Sequence, residues 1–468
     1  MKITLKNKFI PAMLCLLLFL SGTVYSQDNM IFLGRNTPQK FMINPALVPD
    51  NARFFISVPV IGGLNANVSG NISYSHIFSL ASNKKSIINV PHLLKHLDET
   101  TRIRSTLNLD ILNMGFRISR TGFMGITLRG RTSVDMGFSK DAVSFIMDNP
   151  LERTGIFDIR LTPDALSWGE LGISYSQKLS RNFTAGIRIK GIAGGVSTQA
   201  SSAGIEADKT LTRYLLRGDI DMRTGNLNLT GDGEKKYNIK HISPGFGIDL
   251  GISYTSDNRR MRAYASLSDF GRIYWNERSS SRIISRNPAA QYEWVGIKDL
   301  DGLIDGNKSF KEVFENTFDE MTAAVGLDTV KTAFTSNLPA TVQIGGKYAV
   351  DRKFMHYISL NSLTIIPQFA KTYYEFTAGY TYSSRNRRWD LMGSYTYKSI
   401  HPFNIGIGGL YRGRGFEIFL MTDSINSFFD YKAARSANIR LGMNFYCPLR
   451  TYKYNYKYKH RHRNEMIW

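Results

Sequence analysis

From about residue 105 to 446 apolar side chains recur at every second position. That spacing puts them on one face of an extended strand and Gly, Ser, Thr, Asn or charges on the other. Phe183, Ala185, Ile187 and Ile189 hold the odd positions of one such run, and Phe246, Ile248, Leu250, Ile252 and Tyr254 the even positions of another. Neither spacing gives a helix an apolar stripe. The alternation returns in Ala340 to Tyr348, Tyr374 to Tyr382, Phe403 to Ile407 and Ala437 to Phe445, the spacing of a meander of strands about ten residues long. One run changes phase, with Leu107, Leu109 and Ile111 odd and Leu112, Met114, Phe116 and Ile118 even, so a β-bulge is expected at Ile111/Leu112.

Short polar stretches join these runs. Ser256 to Arg259, Ser384 to Arg387 and Arg412 to Gly415 read as tight reversals between antiparallel neighbours. Three segments break the pattern. Residues 27–52 are polar and irregular, with Asn44, Pro45 and Ala46 among their turn formers, and are expected to form an N-terminal plug or a periplasmic segment. Residues 86–104 read as a short helix or loop with Leu93, Leu94 and Leu97 as apolar contacts. Near 309–333 a helical insertion is expected. Ser309 and Glu312 make a capping box, and Phe310, Val313, Phe314, Thr317, Phe318 and Met321 share one face.

The polar face separates a membrane barrel from a soluble sandwich. A sandwich turns that face to bulk water and fills it with Lys and Glu, whereas here Gly, Ser, Thr and Asn dominate with scattered charges, as suits a crowded wet lumen. Aromatic residues make up 12% of the chain, and many stand at strand ends, including Tyr373, Tyr374, Tyr395, Tyr397, Phe416, Phe445 and Tyr446, where an aromatic girdle would lie. Closure also removes the unpaired sheet edges that lipid does not tolerate. The expected fold is therefore all-β: a transmembrane antiparallel β-barrel of roughly 14 strands with an N-terminal plug and short loop helices, its wall spanning 53–447.

Residues 1–26 read as a signal peptide, with Lys2, Lys6 and Lys8 before an apolar run from Phe9 to Leu20 and small residues near Ser26. Without those three lysines the formal charge falls from +21 to +18. The expected location is the cell outer membrane, and the surrounding lipid is the first partner. Cys15 lies in the signal and leaves Cys447 alone, which excludes a disulfide framework and a cysteine metal cluster. The eight histidines show no metal-ligand spacing, the Gly-x-Ser stretches lie inside strands, and the glycines at 406–409 continue a strand. No enzymatic activity, metal or cofactor is assigned. Residues 448–468 form a tail in which tyrosines alternate with Lys, Arg and His. The secretory route argues against nucleic acid and for lipid headgroups, or for a periplasmic or secretion-machinery protein.

The chemistry then lies in the lumen. Arg117, Arg129, Arg131, Arg188, Lys190, Lys347 and Arg440 are expected to face inward, with Asp110, Asp135, Asp249, Glu375, Asp390 and Glu417. These charges either satisfy each other and the plug, or form a binding or selectivity region with a slight cationic bias. Arg117, Arg129, Arg131, Arg188, Lys190 and Arg440 are the candidate ligand-binding residues. Arg129 and Arg131, on one strand face, are the foremost candidates for an anionic headgroup or carboxylate.

The signal ending at Ser26-Gln27, Asn44-Pro45-Ala46, the tyrosine-rich hairpins and the closing residues 422–426 and 437–444 resemble uncharacterised Bacteroidota-type outer-membrane barrels related to PorV, PorP/SprF and the FadL fatty-acid transporters. That resemblance implies a plug role for Asn44, Pro45 and Ala46. It also implies a lumen that binds or passes a small hydrophobic molecule, or, alternatively, a non-transporting barrel serving a type IX secretion or gliding machinery. The basic tail after the last strand departs from the FadL pattern, and Phe445 is the candidate terminal aromatic.

Overall fold

The computed structural model describes residues 29–448 apart from 50–51, 60, 81–85, 89, 148–154, 210–213, 228–241, 286–291, 295–325, 369–370, 400–402, 431 and 433. Twenty strand segments join in one sheet. Several are collinear pieces of one stave, because they pair in turn with the same neighbours. Ala52–Ser57 and Leu64–Gly70 both lie between Thr100–Arg117 and Ser436–Pro448. Tyr214–Gly225 and Ser243–Thr255 both pair with Phe183–Lys209. Met261–Trp275 continues as Ser280–Ser285 and Tyr292–Trp294 along those two pieces. Leu327–Lys331, Phe334–Asn337 and Ala340–Ala349 follow it in the same manner.

Merged in this way, the described segments form fourteen staves. In chain order β1 is Ala52–Ser57 with Leu64–Gly70, β2 Thr100–Arg117, β3 Gly122–Ser139, β4 Gly155–Lys178, β5 Phe183–Lys209, β6 Tyr214–Gly225 with Ser243–Thr255, β7 Met261–Trp275 with Ser280–Ser285 and Tyr292–Trp294, and β8 Leu327–Lys331 with Phe334–Asn337 and Ala340–Ala349. The series ends with β9 His356–Ile366, β10 Tyr373–Ser383, β11 Trp389–Lys398, β12 Asn404–Arg412, β13 Phe416–Thr422 and β14 Ser436–Pro448. Each stave is antiparallel to the next, and β14 pairs back with β1 through Phe55↔Tyr446 and Asn65↔Arg440, so the sheet closes into a barrel.

The sheet is inverted relative to a soluble protein. Along β4 and β5 the polar Ser174, Ser176, Arg188 and Lys190 are at most 1% exposed, while the intervening Ile173 and Ile189 are 55% and 61% exposed. A row of outward Ile, Leu, Phe and Tyr is costly in water and favourable in hydrocarbon. On β10 the outward Tyr374 and Tyr382 bracket the apolar band eight residues apart, ~27 Å along the strand and ~21 Å after a tilt of ~40°. That height suits a bilayer core bounded by aromatic rings.

Both ends of the wall, Ala52 and Pro448, meet at one rim. At that rim the connections 118–121, 179–182, 256–260, 350–355, 384–388 and 413–415 are all tight. At the other rim lie the long connections 71–99, 140–154, 295–326 and 423–435. The wall is also taller on one side, with 24 and 27 residues in β4 and β5 against 9 to 11 in β9 to β12.

Several expectations need adjustment. The bulge stands where the phase change puts it, between Asp110 and Leu112. Residues 29–47 are not simply polar and irregular: helices α1, Met30–Leu33, and α2, Gln39–Ile43, bury apolar side chains there. The helix at Val90–His96 buries Leu93 and Leu97, but the chain is already strand from Thr100. The 309 helix lies outside the described residues, and 327–331, at the end of its expected range, are strand because they pair with Ser281 to Ser285. Tyr373 faces inward instead of joining the girdle, donating its hydroxyl to Glu375 at 2.6 Å.

The inverted faces make a direct test possible. Leu360, midway along β9 and 63% exposed, should cost about 2–4 kcal/mol of folding free energy in lipid vesicles when replaced by Arg. Leu360→Arg would leave stability unchanged if this face met water.

Candidate functional site

The N-terminal segment lies inside the ring, since its partners come from staves on every side. Asn29 donates Nδ2 to Glu375 of β10 at 2.7 Å. Arg35 pairs with Asp390 of β11 at 3.3 Å. Gln39 and Asn444 of β14 exchange amide hydrogen bonds of 2.6 and 3.0 Å. Asn44 donates to the Ala265 carbonyl of β7 at 3.1 Å, and its Oδ1 accepts from the Ala46 amide at 2.9 Å, closing the turn. Ser176 of β4 donates to the Pro45 carbonyl, and Ser253 of β6 to that of Ala46 at 3.3 Å.

Carbonyls of this segment are held mainly by cations. Arg188 donates to the carbonyls of Phe41 and Met42, Lys347 to that of Leu33 and Arg412 to that of Arg35. So short a stretch leaves its helix ends without intrahelical partners, and wall side chains supply them. Glycines in the wall admit its bulk. A Cβ on Gly251 would come within 2.1 Å of Asn44 Oδ1, and one on Gly186 within 2.4 Å of the Pro45 carbonyl carbon.

Next to this segment is a buried charge network. Arg129 reaches Asp110 at 3.2 Å and Glu170 at 3.0 Å, and Arg131 reaches Glu170 at 3.4 Å and Asp269 at 2.7 Å. Lys190 contacts Asp249 at 2.6 Å and Asp269 at 2.5 Å, and Arg188 contacts Asp249 at 3.1 Å. Four bases face four acids, so the cluster is neutral. Leaving any one unpaired would cost about 3–5 kcal/mol. A cavity beside this network, bounded by Asn65, Asn108, Asp110, Arg129, Asp249 and Arg440, is ≈ 20 Å³, room for a water and not for an organic solute.

The structure thus brings Arg129, Arg131, Arg188 and Lys190 together, with Arg440 on the cavity wall. Arg117 stands apart and donates to the carbonyls of Ala52 and Pro49. The guanidiniums of Arg129 and Arg131 are already taken by carboxylates of the chain. Glu170 and Asp269 were not singled out from sequence, although Glu170 lies on the inward phase with Trp168 and could have been read there. Asp269 sits at φ 60° on the inner wall, a backbone setting that alternation does not reveal.

A different surface joins the segment to the opposite side of the lumen. Tyr264, Met392, Leu410, Phe419 and Met421 turn inward and form one buried cluster with Met30 to Leu33, Ile43 and Leu47. The Phe32 and Tyr264 rings stack at 5.2 Å. This is an apolar seat filled by an apolar helix; a second inward cluster, Phe55 and Phe123, holds Phe41, and a third gathers Leu166, Trp168, Ile192, Ile273, Trp275, Phe334 and Leu338.

At the long-loop rim the rings of His76, His92 and His96 gather, with centroids 4.8 Å apart for His76 and His96 and 4.3 Å for His92 and His96. Among the described residues no group of His, Cys, Asp and Glu is arranged to hold a metal. Burial, then the nearby Arg435 guanidinium, then the other two imidazoles hold the His76 pKa below its ordinary 6.5.

A closed transmembrane β-barrel with residues 29–47 of the chain held inside its ring is the class that the fold defines. The chain belongs to DUF5723, a family of unknown function whose model matches residues 45–423. No curated protein matches it. Among solved structures it is similar to the Ralstonia pickettii toluene transporter TbuX, at 10% identity and TM-score 0.40, covering 87% of this chain and 93% of that one. A Pseudomonas aeruginosa FadL homologue gives 10% and 0.38 with 88% and 95% covered, and the P. putida toluene transporter TodX 12% and 0.36 with 90% and 94%. Likenesses this distant assign no activity to the chain.

Two outcomes follow. Gly251→Val, a good strand residue whose side chain would enter the space of Asn44, should displace the segment without opening the wall. Proteolysis near residues 29–47 should then rise while the folded barrel keeps its gel mobility. For His76, the unfolded chain takes up a proton near pH 6.5 before the folded one does. Packing of this loop therefore weakens as pH falls below that value. An imidazole NMR titration should place His76 below 6.5, and replacing His92 and His96 by Gln should raise its midpoint.

Proposed function

We propose that the protein is an outer-membrane β-barrel that binds or passes a small hydrophobic molecule, with residues 29–47 as a displaceable plug. The observation that carries this reading is the inward apolar seat of Tyr264, Met392, Leu410, Phe419 and Met421, occupied by the apolar helix Met30–Leu33. A polar channel for ions or sugars has no use for such a surface, whereas an apolar ligand would find there the kind of pocket that small molecules favour. Short turns at the rim where Ala52 and Pro448 meet and long loops at the other fit the orientation of bacterial outer-membrane barrels, with the short turns on the periplasmic side. Asn44, Pro45 and Ala46 serve as plug residues in this scheme. Arg188, Lys190, Arg129 and Arg131 keep the plug and wall in register, and Arg117 and Arg440 border the same lumen.

The test is binding of the apolar fluorophore N-phenyl-1-naphthylamine to the purified barrel. Wild type should bind weakly because its seat is filled, and Gly251→Val several-fold more strongly. Adding Phe419→Asn and Met421→Asn should remove the gain. No saturable binding by a folded, plug-displaced variant would eliminate the hydrophobic-ligand reading.

A further inference from the structure

The charges of the two rims are arranged differently. At the long-loop rim they are mixed and paired: Arg160 with Asp158 at 2.8 Å, Arg217 with Glu206 at 3.7 Å and Arg282 with Asp221 at 2.8 Å. At the short-turn rim every connection carries at least one arginine; Arg259, Arg385 and Arg387 add to two of the turns, and Arg120, Arg181, Arg260, Arg352, Arg388 and Arg414 stand one in each. Among the described residues none of these six makes an ion pair. The two carboxylates at this rim serve the turns themselves. Asp351 accepts the amides of Lys353, Met355 and His356 at 2.8 to 3.0 Å, and Asp257 accepts from the Asn182 side chain at 2.8 Å.

The depth of this collar is set by outward aromatic rings on the neighbouring stave ends. Phe183 and Tyr254 approach to 5.0 Å, and Trp389 and Tyr411 to 4.6 Å. The Arg260 guanidinium lies over the Tyr348 ring at 5.8 Å. Such rings mark the boundary between hydrocarbon and headgroups. The arginines stand within a few residues beyond them, at the level of the lipid phosphates. Guanidinium is weakly hydrated and its donor fork fits phosphate oxygens.

We infer that the short-turn rim is a binding collar for anionic phospholipid headgroups of the leaflet that surrounds it. Its distribution decides between lipid and protein. A protein partner docks on one sector, whereas here the cations recur around the whole circumference at one depth, as an annulus of lipid requires. The inference rests on the membrane placement proposed above but not on any ligand in the lumen.

The experiment reconstitutes the full chain into vesicles of phosphatidylcholine containing about one-third phosphatidylglycerol, then re-extracts it in mild detergent and quantifies the retained lipid. Wild type should retain phosphatidylglycerol enriched several-fold over its bulk fraction, with enrichment falling at high salt. Replacing Arg120, Arg181, Arg352, Arg388 and Arg414 by Gln should abolish the enrichment while the barrel keeps its heat-modifiable gel shift. Replacing Arg160, Arg217 and Arg282 at the other rim by Gln should leave it intact. Wild type without enrichment, or enrichment that survives high salt, would overturn the collar without recourse to any variant. Equal loss from either rim would also overturn it, as would binding of soluble polyglutamate with no lipid preference, which would turn the collar toward an acidic protein.

Discussion

The structure depends on closure of the backbone hydrogen-bond ladder. In hydrocarbon an amide or carbonyl has no water to turn to, so each stave must find neighbours on both sides, and the pairing of β14 with β1 meets that requirement. Once the ring is closed, period-two alternation sorts every side chain to lipid or lumen. The inverted faces of β4 and β5 follow from this and need no separate cause. Where β1 leaves its ladder between Ser57 and Leu64, the carbonyl of Gly62 accepts from Gln39 of the plug.

A closed ring of fourteen staves encloses more space than its own side chains fill, and the contents must satisfy an unusual wall. Bases and acids projecting from neighbouring staves would each be costly alone, because a buried charge without a partner costs more than the pair gains. The lumen resolves this with a neutral cluster of Arg129, Arg131, Arg188 and Lys190 against Asp110, Glu170, Asp249 and Asp269. A second cluster joins Arg35 and Arg412 to Asp390 and Glu417. Arg188 and Arg412 belong at once to a wall cluster and to the plug carbonyls. The plug is thereby tied into the same electrostatic balance, although it is joined to the wall covalently only through residues 48–51.

Alternation made the barrel legible because lipid enforces it residue by residue, and even the phase slip at Ile111 could be read from Leu109 and Leu112. The interrupted staves could not be read in this way. Pieces as short as Tyr292–Trp294 carry too few alternations to stand out, and their collinearity is a property of pairing partners far away in sequence. Residues 29–47 stand out in the sequence as a segment apart from the strands, but their chemistry does not. The apolar helix Met30–Leu33 is four residues long, below the length at which helical periodicity has meaning. Inward charges were recovered where they lay on regular strands. Their partners Glu170 and Asp269 do not stand out in the same way, since Glu170 meets Arg129 only through the register of two neighbouring staves and Asp269 sits at φ 60°, outside the alternation.

The two kinds of lumen contact have different consequences for motion. Charged side chains on the plug's carbonyls fix its position but are exchangeable, since a carbonyl acceptor can be replaced by water or by another anion at small net cost. The apolar seat behaves otherwise. Pulling Phe32 from Tyr264 and Met30 from its pocket would expose the faces of Leu410, Phe419 and Met421 to the wet lumen, at roughly 25 cal/mol for each Å² uncovered. That cost disappears only if another apolar body takes the place of the helix. Under the function proposed above, the seat, and not the charged cluster beside it, is therefore where an apolar ligand would compete with the helix.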